Sequence, residues 1–204
     1  MITDHWFPTT IYGELVPNAT ELNKHLLKHI KQWRQKDKKG LSKTNRKGWH
    51  SETDMHLKQE YEPLTKEILR AHGEVCKDQR YTHPTFIGNM WANINYPGSS
   101  NVAHIHSNAH WSGVYYIQVP DHSGTLQLED PRAASNMFMP RQEKDLPPRL
   151  WRLVHYQPKA GRLLFFPSYL FHAVTENLSK LKGTKGWRVS VSFNLVQETI
   201  GAKV

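Results

Sequence analysis

The sequence predicts an α+β protein that is mainly β, with helices in the first third followed by a barrel or sandwich of short strands. Apolar residues recur at helical spacing before residue 83, whereas about seven short β-branched and aromatic runs, separated by turn residues, follow residue 84. No linker and no internal repeat interrupts the chain. We therefore expect one domain over residues 1–204, with an N-terminal strand and helices in 1–83 and a β core in about 84–197.

The N-terminal third contains one predicted strand and two predicted helices. Residues 6–15 are β-branched and aromatic, which favours a strand. Asn18 is a candidate N-cap for a helix over residues 19–35, and a second apolar periodicity predicts a helix over residues 60–78. Residues 36–50, between the helices, carry glycines and charges without periodicity, so we predict an exposed loop.

The β core is predicted from runs that end at turn residues. The segment 132–149 is rich in prolines and is the longest irregular insertion, which makes it a candidate lid. The predicted strands cover residues 85–96, 111–119, 125–129, 151–157, 162–166, 172–176 and 187–196.

The chain is strongly basic, with a formal net charge of +9. The excess is concentrated in residues 31–47, and a smaller group of lysines lies in residues 180–185. Such clusters suit nucleic acid or another polyanion. No aromatic-interleaved recognition motif accompanies the charge, so we favour a solvated surface and treat nucleic acid as the less favoured partner.

The N-terminal sequence and the cysteine content predict a protein of a reducing compartment. The N-terminus lacks a basic region followed by an apolar stretch, and no apolar run approaches the ~20 residues that span a bilayer. Cys76 is the single cysteine, which excludes an internal disulfide and a thiolate-rich zinc site. We therefore expect a cytoplasmic protein without a membrane partner.

A histidine pair carries the first functional signal. His104 and His106 are one residue apart in an extended segment, so their rings point to the same side. Imidazole is the commonest neutral metal ligand, and a close pair with a distant third ligand is a usual way to hold a first-row metal. With His172 as that third ligand, we expect one iron with open positions. Arg188 and Ser190 share a strand face downstream.

The order of these motifs resembles the iron(II)- and 2-oxoglutarate-dependent dioxygenases. The His-x-His pair follows Tyr96-Pro97-Gly98, the lone His172 follows the strand 162–167, and Arg188 comes last. Together with Tyr115-Tyr116, this order is similar to the prolyl-hydroxylase-like branch, and more closely to an oxygenase family of marine bacteria and their phages. The resemblance implies a double-stranded β-helix (jelly-roll) barrel buttressed by the N-terminal helices, and the cofactors Fe(II), 2-oxoglutarate and O2. For a phage-encoded chain, the compartment would be the host cytoplasm.

The resemblance also implies roles for the pocket residues. Arg188, with Ser190, suits the far carboxylate of 2-oxoglutarate, because guanidinium is a rigid two-pronged donor that stays charged. Tyr116 is implied as a third donor to that carboxylate, and Tyr96 as a residue that lines the same pocket.

The expected second metal ligand departs from the family pattern. This ligand is normally a carboxylate, and the matching position here is His106 if His104 is the first ligand. A second register makes His106 the first ligand and Asn108 the second. We favour His104 with His106, because a neutral amide oxygen is a weaker iron ligand, and His106 is a ligand in either register.

The predicted function is a hydroxylase that couples oxidative decarboxylation of 2-oxoglutarate to hydroxylation of a substrate. Peptidyl proline, a free amino acid and a small metabolite all remain open as that substrate. Two alternatives stand beside it: a non-catalytic β-barrel module that binds metal or polyanion, and a nucleic-acid demethylase on the same fold, which the basic charge alone suggests.

Overall fold

The computed structural model describes residues 1–132, 134, 137–138 and 140–197, and within these residues the helices precede most of the strands, as predicted. The helices are α1 (Ala19–Lys36) and α2 (Glu62–Asp78). The strands are β1 (Tyr12–Leu15), β2 (Asn45–Arg46), β3 (Trp49–His50), β4 (Thr85–Asn95), β5 (Ser100–His104), β6 (Trp111–Gln118), β7 (Leu126–Glu129), β8 (Leu153–Tyr156), β9 (Arg162–Pro167), β10 (His172–Val174) and β11 (Arg188–Gln197).

Both helices form where the apolar periodicity predicts them. The buried face of α1 includes Leu26 and Ile30. The helix α2 begins at Glu62 rather than at residue 60, because a 3-10 turn over Gln59–Tyr61 precedes it. Asn18 occupies the N-cap position, as predicted, but it adopts a left-handed conformation with φ of 53°, and its side chain makes no capping hydrogen bond.

Three segments differ from their predicted form. The first strand is confined to Tyr12–Leu15, and residues 6–11 lie outside it. The predicted loop 36–50 contributes β2 and β3, because these residues pair with β5 and β4, a tertiary contact that periodicity does not report. In the candidate lid 132–149, residues 133, 135, 136 and 139 lie outside the described residues, and a 3-10 turn begins at Pro148.

The strands form two antiparallel sheets. The first has six strands in the order β1-β9-β6-β11-β4-β3, and the second has five strands in the order β2-β5-β10-β7-β8. The longest ladder is between β11 and β4, where Arg188 lies opposite Asn95. This ladder brings the last strand of the chain beside the first strand of the predicted β core.

Two apolar clusters cover the two faces of the six-stranded sheet. The helices pack on its outer face, where Tyr115 is fully buried and donates to Asn23 Oδ1 in α1 at 2.7 Å. The inner face packs against the five-stranded sheet, and Tyr116 belongs to this second cluster. Side chains alternate along a strand, so the Tyr115-Tyr116 pair divides between the two faces as expected. Neither helix has the length and apolar character of a membrane span within the described residues.

Candidate metal centre

Three histidines meet at the edge of the space between the sheets. His104 ends β5 and His172 begins β10, and the two lie directly opposite each other in the antiparallel pair. His106 follows two residues beyond His104, outside the strand. One ring nitrogen from each of the three histidines lies within 4.8 Å of the other two. The structure therefore brings together the three residues that the sequence predicts as metal ligands.

The hydrogen bonds of two of these rings fix their tautomers. The Nδ1 atom of His104 contacts the Val102 carbonyl oxygen at 2.8 Å, and the Nδ1 atom of His172 contacts the Leu170 carbonyl oxygen at 2.9 Å. A carbonyl oxygen only accepts, so both Nδ1 atoms carry the proton in the neutral ring. The Nε2 atoms of both rings consequently keep free lone pairs.

The spacing of these nitrogens suits a shared metal ion. The Nε2 atoms of His106 and His172 are 3.2 Å apart. Two imidazole nitrogens each about 2.1 Å from one ion are separated by roughly 3 Å when they occupy adjacent positions. Two nitrogen lone pairs at this distance repel each other unless a proton or a cation lies between them. The donor set therefore fits a first-row metal ion.

Burial keeps the three imidazoles neutral at pH 7. Desolvation, with a smaller effect of nearby His104, lowers the pKa of His172 to about 3. Desolvation also lowers the pKa of His106 to about 4 and lowers that of His104. A metal ion binds the neutral form of histidine, so the ligand atoms require no deprotonation at physiological pH.

A stack of aromatic rings supports the histidines, and the sequence analysis did not predict it. His50 stacks on Trp91 with ring centroids 5.4 Å apart, and Trp91 stacks on His106 at 5.7 Å. His106 in turn stacks on His172 at 5.0 Å. No local pattern marks His50, because β3 reaches Trp91 only through pairing of distant segments. The stack restrains the orientation of the His106 ring.

The cavity beside the histidines has a volume of about 410 Å³ and a polar wall. Alternate residues of β4 and β11 face into it, while the residues between them face the helices. This alternation is the sequence signal for the residues that we did not predict. No Asp or Glu lines the cavity among the described residues. The polar residues that these two strands contribute are Asn89, Asn93, Asn95, Arg188, Ser190, Ser192 and Asn194.

Arg188 is the deeply buried cation of this cavity, with 2% of its surface exposed. One terminal nitrogen donates to Asn95 Oδ1 at 2.9 Å, and the other contacts the Ser123 carbonyl oxygen at 3.4 Å. The Nε atom is buried and has no partner within the described part of the chain. Burial lowers the pKa of the guanidinium. A buried cation with a donor to spare and no carboxylate partner is a natural site for an anion.

Two further predicted residues line the same cavity, and one does not. Ser190 and Tyr116 are both buried in its wall. Burial raises the pKa of the Tyr116 phenol, so its hydroxyl is protonated and can donate. Tyr96 is a correction: it follows Ile94 on the helix-facing side, and its hydroxyl accepts a 2.7 Å hydrogen bond from Arg34 Nε. Strand alternation explains this placement, because Asn95 takes the cavity side.

The alternative ligand Asn108 lies away from the cavity wall. It occupies an exposed turn with φ of 62°, and it is absent from the residues that line the cavity. The geometry therefore favours the register in which His104 and His106 are the pair.

Residues 28–47, which extend the basic segment 31–47 by three residues, contact the turn at residues 96–99, and Trp187, which follows the second basic segment 180–185, contacts the same turn. Residues 28–47 and 180–185 contain 12 of the 27 basic residues and one of the 18 acidic residues, so the remainder of the chain carries a net charge of −2. None of these 12 side chains forms a salt bridge within the described residues. The contacts with the turn are Arg34 Nε to Tyr96 OH (2.7 Å), Ser99 Oγ to the Lys47 carbonyl oxygen (2.9 Å), and the edge-on packing of Trp187 on Tyr96 (5.3 Å between centroids).

Comparison with known protein families gives one match. Residues 89–194 match the family described as "Putative 2OG-Fe(II) oxygenase", which is more than half of the chain. The matched region begins in β4 and ends in β11, so it contains the three histidines and Arg188. A search of curated proteins finds no match.

Solved structures with a similar fold include several oxygenases. A prolyl-4-hydroxylase from Pseudomonas putida has a TM-score of 0.66 and 13% identity, with 94% of each chain covered. The viral collagen prolyl hydroxylase of Paramecium Bursaria Chlorella virus-1 has a TM-score of 0.55 and 14% identity, with 90% of this chain and 95% of that chain covered. HygX from Streptomyces hygroscopicus, solved with nickel, 2-oxoglutarate and hygromycin B, has a TM-score of 0.63 and 9% identity, with 93% and 84% covered.

Proposed function

Because the chain belongs to the 2OG-Fe(II) oxygenase family and is a 2-oxoglutarate- and Fe(II)-dependent dioxygenase, we propose that it hydroxylates a C–H bond of a polar substrate. In this reaction 2-oxoglutarate loses carbon dioxide and becomes succinate. One atom of O2 enters the succinate, and the other forms the new hydroxyl group. We also infer that the two sheets form a double-stranded β-helix, which the similar oxygenase structures support.

The observation that carries this proposal is the sharing of one cavity by the histidine cluster and an unpaired guanidinium. His104, His106 and His172 would hold the iron, since their neutral rings converge within 4.8 Å. Arg188 would hold the far carboxylate of 2-oxoglutarate, since its Nε atom lacks a partner among the described residues. When bound, iron and 2-oxoglutarate supply the activation of O2, and the protein supplies their placement.

The surrounding residues have distinct tasks in this reaction. Tyr116 and Ser190 would donate to the same carboxylate as Arg188, because all three line one cavity. The hydroxyl of Tyr116 stays protonated through burial, so it adds a donor without adding a negative charge. The apolar side chains beside them, including Leu126 and Phe166, exclude water from the carboxylate, which strengthens its electrostatic contacts.

The reaction is tested by binding and by turnover. Zn²⁺-loaded protein should bind 2-oxoglutarate, and Arg188→Ala should weaken this binding about 10- to 100-fold, since a hydrogen bond to a charged group contributes roughly 1.5–3 kcal/mol. Arg149→Ala is the control, because Arg149 is exposed and does not line the cavity. Fe(II)-loaded protein should release succinate from 2-oxoglutarate under O2. Absence of both binding and succinate would reject the proposal.

The polar wall indicates what kind of substrate reaches the iron. Lys43, Thr44 and Thr53 line the cavity together with the amide side chains of β4, and Lys43 is exposed. With Arg188 assigned to 2-oxoglutarate, Lys43 is the other lysine or arginine that lines the cavity among the described residues, and it is available to the substrate. We infer a substrate with hydrogen-bonding groups and a negative charge, such as a free amino acid bound through its carboxylate. Succinate release with individual amino acids, for wild type and Lys43→Met, tests this: wild type should be stimulated and the variant should need more substrate.

A second candidate function is demethylation of nucleic acid. The observation that favours it is the unpaired basic surface of segments 28–47 and 180–185, which extends to the cavity through Lys43. A protein that neutralises phosphates binds more weakly as salt increases. Salt-dependent binding of oligonucleotides, with succinate release stimulated by methylated bases, would favour this candidate. Binding without stimulation would favour the small-molecule substrate.

A further inference from the structure

The third histidine differs from the other two in what holds its second ring nitrogen. In His104 and His172 this nitrogen contacts a backbone carbonyl, whereas in His106 the Nδ1 atom lies 3.0 Å from the side-chain amide of Asn194. Asn194 is 5% exposed and lies near the C-terminal end of β11. We propose that Asn194 is a positioning residue, which turns its amide to set the tautomer of His106 and thereby admits the metal ion.

The tautomer of His106 decides whether its Nε2 atom can bind a metal. A carbonyl fixes its partner nitrogen as a donor, but an amide presents either an oxygen or an NH2 group. When the NH2 group of Asn194 faces His106, Nδ1 accepts and Nε2 carries the proton. That proton then points at the lone pair of His172 Nε2, 3.2 Å away, and forms a hydrogen bond that closes the site. When the amide oxygen faces His106, Nδ1 carries the proton and Nε2 is free to bind.

The network around Asn194 accepts both orientations of the amide. Its oxygen side contacts Ser112 Oγ at 2.7 Å, and its nitrogen side contacts Asn89 Oδ1 at 2.8 Å. Ser112 Oγ lies 3.0 Å from Ser168 Oγ, so a hydroxyl can donate or accept along this chain. Asn89 is itself an amide and can turn together with Asn194. In either orientation, each end of the Asn194 amide and the His106 Nδ1 atom therefore keep a hydrogen-bonding partner.

This arrangement couples metal binding to one amide rotation. In the metal-free protein, the His106–His172 hydrogen bond occupies the position of the ion. In the loaded protein, the turned Asn194 supports His106 in the same way that backbone carbonyls support His104 and His172. A partner that accepts from the outer nitrogen orients the ring and raises its basicity, and its loss typically weakens metal affinity 10- to 100-fold.

The inference rests on the proposed metal site but not on the oxygenase reaction, so it is tested by binding of Zn²⁺ alone. Asn194→Leu should weaken Zn²⁺ affinity about 10- to 100-fold. Asn194→Asp should retain the affinity, because a carboxylate only accepts and holds Nδ1 protonated. Asn93→Leu is the matched control, since Asn93 lines the same cavity and its amide contacts Ser192 rather than a histidine. A metal-free melting curve for each variant separates loss of binding from loss of folding.

The ring nitrogens provide a readout that a purely structural role would not move. By ¹⁵N NMR, His106 should carry its proton on Nε2 without metal and on Nδ1 with Zn²⁺, while His104 and His172 keep theirs on Nδ1. A metal-free His106 protonated on Nδ1, or equal affinity of wild type and Asn194→Leu, would overturn the inference. If His104→Ala and His172→Ala also bind Zn²⁺ like wild type, the metal site itself is wrong; if they lose it, only the role of Asn194 fails.

Discussion

His172 lies directly opposite His104 across the antiparallel pair of β10 and β5, with ring centroids 4.2 Å apart. The register of this pair therefore fixes the distance between two of the proposed ligands. A slip of one residue would turn one ring to the other face of the sheet. His106 lies beyond the strand, so its position depends instead on Asn194 and on stacking with Trp91.

Removal of either cross-strand histidine should abolish tight metal binding. We expect His104→Ala and His172→Ala each to weaken Zn²⁺ affinity more than about 100-fold, a larger loss than removal of an outer partner causes. Isothermal titration calorimetry of the metal-free proteins measures this change. His110→Ala is the control, because His110 is exposed and does not belong to the cluster. Similar losses in all three variants would contradict the assignment.

The adjacent tyrosines should separate cofactor binding from stability. Tyr116 lines the cavity, so Tyr116→Phe should weaken 2-oxoglutarate binding several-fold, for one lost hydrogen bond worth about 1 kcal/mol. Tyr115 donates to Asn23 on the helix side, so Tyr115→Phe should lower the free energy of unfolding by about 1 kcal/mol and leave that binding unchanged. Urea unfolding measures the stability, and calorimetry measures the binding of 2-oxoglutarate. Weaker binding in Tyr115→Phe together with unchanged binding in Tyr116→Phe would contradict the proposal that Tyr116 contacts 2-oxoglutarate.

Gly113 should tolerate no larger side chain. A Cβ atom at this position would lie 2.2 Å from the Phe193 ring and 2.6 Å from the Leu164 carbonyl oxygen. Gly113→Ala therefore forces the two neighbouring strands or the ring to move, and we expect a loss of about 1–3 kcal/mol in the free energy of unfolding. Gly73→Ala is the matched control, because a Cβ at Gly73 in α2 meets no atom within 4 Å. A melting temperature unchanged in Gly113→Ala would contradict the close packing of β6 on β11.

The sequence was sufficient to predict those elements and site residues that depend on apolar periodicity, on strand alternation or on the order of the motifs. The helices α1 and α2 follow from apolar periodicity, and the shared face of Arg188 and Ser190 follows from strand alternation. His172 and Tyr116 were predicted from the order of the motifs and from the family resemblance. The same alternation, continued one residue past the end of β4, places Tyr96 on the helix side.

Other parts of the site depend on pairing between distant segments. His50 reaches the cavity because β3 pairs with β4, and Asn194 reaches His106 across 88 residues of chain. Asn18 is an example of a local rule that succeeded only in part, because the residue occupies the predicted N-cap position but has a left-handed backbone and makes no capping hydrogen bond. Local patterns report which face a residue occupies, but not which residue lies opposite.

His72 should make the metal-free protein less stable in mildly acidic solution. This buried ring contacts Thr85 Oγ1 at 2.8 Å and Cys76 Sγ at 3.4 Å. Desolvation, with a smaller effect of the nearby His110, lowers its pKa from 6.5 to about 4. The unfolded chain therefore binds a proton first as pH falls. The contribution of neutral His72 to the free energy of unfolding is complete above pH 6.5 and is lost as the pH falls from 6.5 to 4. At pH 5 the loss is about 2 kcal/mol.

The difference between wild type and His72→Gln isolates this contribution from the other buried histidines. Urea unfolding at pH 7 and pH 5 should give a loss of stability on acidification that is about 2 kcal/mol larger in wild type, because glutamine does not titrate. His83→Gln provides the control, since His83 is exposed. An equal loss in wild type and His72→Gln would show that the ring is protonated in the folded protein, which its buried position between α2 and β4 opposes.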